Sequence, residues 1–137
     1  MATLVDTNIL LDLLDVGSEW EQWSRTRLFE ARSRGAVVVN PIIYAEMAAG
    51  FDTEPQLESA LAPSRFLRED LPFAAAYVAG RAFVQYRRSG GEKRSPLPDF
   101  YICAHALVMR HALLTRDRAR YATYFPALEI ISPETHP

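Results

Sequence analysis

A single cysteine, Cys103, stands in this chain of 137 residues, and Lys93 is the lone lysine among its 15 basic residues. One thiol forms no internal disulfide and no cysteine-based zinc site of the usual kind. No GxxxxGK[ST] loop exists to cradle phosphates and GxGxxG is missing too, which sets aside nucleotide-fuelled and dinucleotide chemistry. No apolar run is long enough to span a bilayer, and the first residues show no basic stretch followed by an apolar core and a cleavage site. The expectation is a cytoplasmic protein with no membrane attachment. Charge of one sign is also lacking: a formal net charge of −2 argues neither for nor against a nucleic-acid partner. Repeats, low-complexity segments and linkers are absent, and the length suits one domain spanning 1–137.

What the chain does have is a succession of short apolar strands and helix signals. Residues 2–6 read as a buried strand, with Thr7 or Asn8 starting a helix over Ile9 to Leu14. Ser18 and Glu21 predict a capping box for a second helix that Gly35 stops. "AVVVN" is the next strand, and Pro41 opens a helix containing Glu46. Residues 54–62 predict a short helix, Arg65 to Arg68 a brief strand, and the segment after Pro72 a longer helix. Pro98 and Asp99 start another helix, "ALLT" is a strand, "RDRARYATYF" a helix or turn, and "LEIIS" a last strand. Strands alternating with helices predict an α/β domain with a parallel sheet, whose right-handed crossovers put all strand C-termini on one side.

Four acids fall at successive element junctions: Asp6 after the first strand, Glu46 in the helix after the second, Asp99 at a helix start, and Asp117 after "LLT". Each alone has an ordinary structural reading, Asp99 as an N-terminal helix charge and Asp117 as a helix cap. Together they belong to the rim where open parallel sheets bind ligands. Carboxylates about 4 Å apart repel by about 4 kcal/mol per pair at an effective dielectric of ~20. A hard divalent cation, Mg²⁺ or Mn²⁺, is the natural counter-charge, and acid-only sites of this kind suit phosphodiester hydrolysis.

The motifs "LVDTNILLDL", "YAEM", "LPDFYICAHAL" and "LLTRDRARYATYF" occur in the order of the PIN-domain ribonucleases, and over essentially its whole length the chain resembles a VapC-type toxin of a type II toxin–antitoxin system. The resemblance implies a three-layer α/β/α fold with a five-stranded, mainly parallel sheet. It also implies a Mg²⁺-dependent endoribonuclease that inhibits translation and growth, a homodimer, and an antitoxin that neutralises it. On the same resemblance Asp6, Glu46, Asp99 and Asp117 match the family's catalytic acids, with Asp6, Asp99 and Asp117 as metal ligands. Thr7, Asn8 and Thr115 match positions that orient those acids.

Arg87, Arg88, Lys93 and Arg94 flank two glycines and read either as RNA-phosphate contacts or as a solvated helix end and loop. Trp20 and Trp23 lie on a helical stripe that serves the core or a partner. His105, His111 and His136 share no metal-ligand spacing and are assigned core or surface roles. Asp12, Asp15, Glu69 and Asp70 are assigned to solvated faces. A haloacid-dehalogenase-type phosphatase needs a second aspartate where Asn8 stands, and a receiver domain needs a lysine at a late strand end; neither fits. The competing reading from another class is a PIN-like RNA- or protein-binding module without hydrolysis.

Overall fold

The structure, a computed structural model, describes residues 1–92 and 97–137, the side chains of 120 and 121 excepted. The chain runs β1 (Thr3–Val5), α1 (Thr7–Leu14), α2 (Glu21–Arg34), β2 (Val37–Val39), α3 (Pro41–Ala48) and α4 (Glu54–Leu61). It continues through a single 3₁₀ turn (Ala62–Ser64) into β3 (Leu67–Arg68), α5 (Phe73–Arg88), α6 (Pro98–Met109), β4 (Ala112–Leu114), α7 (Arg118–Ala122) and β5 (Ile130–Ile131).

The strands form one sheet of order β3-β2-β1-β4-β5, and every pairing is parallel. β1, β2 and β4 are buried at each position, which is why their sequences are continuous apolar or β-branched runs rather than alternating ones. From β1 the chain first moves toward β3, then crosses back to β4 and β5. Right-handed crossovers therefore place α1 to α4 on one face and α5 to α7 on the other, a three-layer α/β/α arrangement. Leu4, Ile9, Ile43, Ile102, Leu113 and Leu114 are among the fully buried side chains of the shared core.

Asn40 caps α3 by accepting the Ile43 N–H, and Pro41 takes the first helical position. The capping box predicted at Ser18 and Glu21 does not form. Helix α2 starts at Glu21 itself, whose Oε1 accepts the Gly17 N–H at 2.8 Å, while the buried Ser18 hydroxyl has no hydrogen-bond partner. The box sits instead at Thr53 and Gln56, at the start of α4. Gly35 ends α2 where a Cβ would lie 2.4 Å from the Met1 carbonyl oxygen, so only glycine lets the N-terminal residue pass.

Candidate functional site

Strand order reverses at β1, so the crevice between the C-terminal ends of β1 and β4 is where such a sheet offers a ligand site. Asp6 is the residue directly after β1. With Val5 paired to Leu114, the next residues on the two strands, Asp6 and Thr115, are side by side. Thr115 Oγ1 donates to Asp6 Oδ2 at 2.8 Å, and Asp6 Oδ1 accepts the Thr7 backbone N–H at 2.7 Å. These donors offset the cost of holding a carboxylate that is only 3% exposed. The apolar run ends on an acid because the acid caps the following helix while its other oxygen is held from the neighbouring strand.

Asn8, in the first turn of α1, bridges outward from this pair. Its Nδ2 reaches Asp6 Oδ2 at 3.4 Å, Thr115 Oγ1 at 3.2 Å and Asp117 Oδ2 at 3.4 Å. Its Oδ1 accepts the Arg116 backbone N–H, and Thr115 Oγ1 accepts that of Asp117. On the other side Thr7 Oγ1 donates to Glu46 Oε1 at 2.7 Å, tying α1 to α3. Asp99 lies in the first turn of α6, one turn before the fully buried Cys103. Burial first, and then the charges of Asp6 and Asp99, push the Cys103 thiol far above its ordinary range, so both carboxylates bear on one interior point and the thiol stays protonated.

Asp6, Glu46, Asp117, Thr7, Asn8 and Thr115 thus form one hydrogen-bonded set, and Asp99 is placed separately, by the first turn of α6. The donors are carboxylate, hydroxyl and amide groups, a set that suits a hard divalent cation. Arg87 and Arg88 form the last turn of α5, and Arg88 lines a cavity of about 520 Å³ between α5 and the 124–127 segment. Lys93 and Arg94 lie outside the described residues.

Two acids assigned to solvated faces are held by specific partners instead, Asp12 inside the fold and Glu69 half-buried. Asp12 is buried and accepts from Ser24 Oγ at 2.6 Å and from Arg116 Nε and Nη2 at 2.8 and 3.0 Å. Arg116, next to the fourth acid, therefore turns its charge toward α1, with its guanidinium 5.4 Å from the Trp20 ring centroid. Glu69 Oε1 accepts from both His105 Nε2 at 2.9 Å and His111 Nε2 at 2.8 Å. Among the described residues these three metal-ligating side chains have donor atoms that all lie within 4.8 Å of one another. The one local signal for Asp12 was its i+6 position after Asp6, on the α1 side that meets α2; for Glu69 none existed.

The family model of the PIN domain matches residues 3–126. No curated protein matches the sequence closely enough to count as a relative. Similar solved structures include VapBC2 of Rickettsia felis bound to a promoter DNA fragment, with TM-score 0.76 and 18% identity, covering 96% of this chain and 98% of that one. VapBC-1 of nontypeable Haemophilus influenzae gives TM-score 0.71 and 20% identity over 96% and 98% of the two chains. A toxin–antitoxin complex of Klebsiella pneumoniae gives 0.65 and 23% over 96% and 97%. At these identities the likeness is one of fold.

Proposed function

The chain belongs to the PIN-domain family, and from that premise we propose that it is a VapC-type toxin, a divalent-metal-dependent endoribonuclease that hydrolyses RNA phosphodiester bonds and is neutralised by a cognate antitoxin. The observation that carries this reading is the acid set at the strand-order reversal, where Asp6, Asp117 and Glu46 are joined through Asn8, Thr115 and Thr7. Similar folds occurring in toxin–antitoxin complexes support the partner. A homodimer working in the cytoplasm completes the proposal; no helix among the described residues is long and apolar enough to cross a membrane.

Asp6, Asp99 and Asp117 would hold Mg²⁺, with Mn²⁺ as a substitute. Bound there, the cation supplies Lewis acidity toward phosphate oxygens and a lowered pKa for water. The chain's own residues do the rest. Thr115 and the Thr7 N–H fix both oxygens of Asp6, so its carboxylate meets a ligand without having to reorient. Glu46, exposed and oriented by Thr7, would accept a proton from an attacking water. Arg87 and Arg88, with Lys93 and Arg94, would bind flanking phosphates, and their contribution would weaken as salt rises.

The test is cleavage of total cellular RNA by antitoxin-free protein with Mg²⁺ or Mn²⁺, beside an EDTA control and Asp99→Ala. Discrete fragments that require both the metal and Asp99 support the nuclease, with 5′-phosphate and 3′-hydroxyl ends. A folded wild type that cleaves none of the RNAs points to a binding module.

A further inference from the structure

Away from the acid rim, three side chains from three elements converge: Glu69 directly after β3, His105 on α6, and His111 in the turn from α6 to β4. We propose that they form a second metal site, a His₂Glu set of the kind that binds zinc-class ions rather than Mg²⁺. Two imidazoles and one carboxylate are the mixed nitrogen and oxygen donors that Zn²⁺ favours, and three protein ligands leave a fourth position for water. His105 is wholly buried, whereas Glu69 lines a cavity of about 220 Å³ with Asn40, Tyr44, Arg68 and Asp70, so ion and water reach the trio's carboxylate.

In the metal-free arrangement, the N–H groups of both histidines occupy the position a cation would take. Each donates to the same oxygen, Glu69 Oε1, at 2.9 and 2.8 Å. A tetrahedral site with bonds of about 2.0 Å separates its ligand atoms by roughly 3.3 Å, so each imidazole has to draw back from Glu69 Oε1 by only about half an ångström, and all three donor atoms already lie within 4.8 Å of one another. The protons have somewhere to go. On His111 the proton moves from Nε2 to Nδ1. On His105 it does the same, and the Asn40 amide, whose Nδ2 now lies 2.9 Å from His105 Nδ1, turns over so that its Oδ1 accepts the new N–H. No proton is released when the two rings start neutral. The turn gives up the Asn40 cap on Ile43, so metal loading carries a local signature at the start of α3.

The site has a structural task. β3 is two residues long, exposed, and at the edge of the sheet. An ion shared by Glu69, His105 and His111 would pin its end to α6 and to the start of β4.

Co²⁺ replaces Zn²⁺ as a visible probe, in millimolar Mg²⁺ so that the rim acids are filled. The wild type is expected to take up one equivalent of Co²⁺ with a ligand-field absorption of His-ligated, low-coordinate cobalt, displaced by one equivalent of Zn²⁺, and to show a raised Tm with Zn²⁺. His111→Gln and, independently, Glu69→Gln should weaken binding at least tenfold, whereas Asp99→Ala should bind as the wild type does. Circular dichroism identifies any variant that fails to fold, and the remaining one then decides. The proposal is overturned if the wild type takes up no stoichiometric Co²⁺ or Zn²⁺, if both folded variants bind as tightly as the wild type, or if Asp99→Ala abolishes the signal.

Discussion

Arg116 meets Asp12 in a two-pronged ion pair whose carboxylate side chain is 8% exposed. The geometry is planar fork against carboxylate, and Ser24 Oγ fills a further lone pair on the same oxygen that accepts from Arg116 Nε. The chain segment held in this way is the one that carries Thr115 and Asp117. Removing one partner of such a pair strands the other charge, so Asp12→Ala should lower stability by about 3 kcal/mol, the lower end of the range because Arg116 keeps partial solvent contact. Urea unfolding of the variant measures it. At the acid rim, Thr115→Val removes the hydroxyl that holds Asp6 and accepts from the Asp117 N–H. Its expected cost is a roughly 10–100-fold loss in Mn²⁺ affinity, the usual scale for a group that orients a ligand. Asp99→Ala should reduce RNA cleavage by more than that while leaving the circular-dichroism spectrum unchanged. Equal loss in both assays for Thr115→Val and Asp99→Ala would put them in the same role.

Two helix caps allow a comparison at the scale of elements. Thr53 and Asn40 each accept the N–H three residues on, at Gln56 and Ile43. Thr53 does so at an exposed helix start, so Thr53→Ala should cost about 1 kcal/mol. Asn40 is buried and its amide also meets His105, so Asn40→Ala removes a cap and leaves a buried imidazole nitrogen without its partner. The expected cost is about 2–3 kcal/mol, the sum of a cap and one orphaned polar group. Thermal unfolding of both variants side by side gives the difference; equal costs would mean that the His105 contact contributes nothing. The same bond explains why α3 and α6, the helices that carry Glu46 and Asp99, keep a fixed relation across the sheet edge.

Over the whole molecule, acidification has a predictable sign. Burial is the largest influence on His105 and holds its pKa below the ordinary value of 6.5, outweighing attraction to Glu69. Burial alone would raise Glu69, but hydrogen bonds from His111 and His105 leave it below its ordinary value of 4.5. In both cases the unfolded chain binds protons more readily than the folded one, so each lowers stability as pH falls: His105 below 6.5 and Glu69 below 4.5. Metal-free protein should therefore show a Tm that declines from pH 7 toward pH 5, and His105→Gln should flatten the upper part of that decline. A flat wild-type profile over this window would remove the histidine's part.

Much of this protein was determined by sequence alone, because the deciding forces act within a few residues. β-branched runs, Pro41 and Pro98 at helix starts, and Gly35 at a helix end specify elements locally, and the alternation of those elements dictates a parallel sheet whose rim collects the acids that end strands and start helices. The failure at Ser18 is also local: Glu21 found the Gly17 amide one residue earlier than the pattern required. What tertiary structure decided is which polar groups become partners. Asp12 meets Arg116 across 104 positions, and His105 meets Glu69 across 36. On a helix or after a strand, such residues look like any solvated charge. Only when the layers close and exclude water does an acid need a specific donor, and that need is met by whichever side chain the packing brings opposite it.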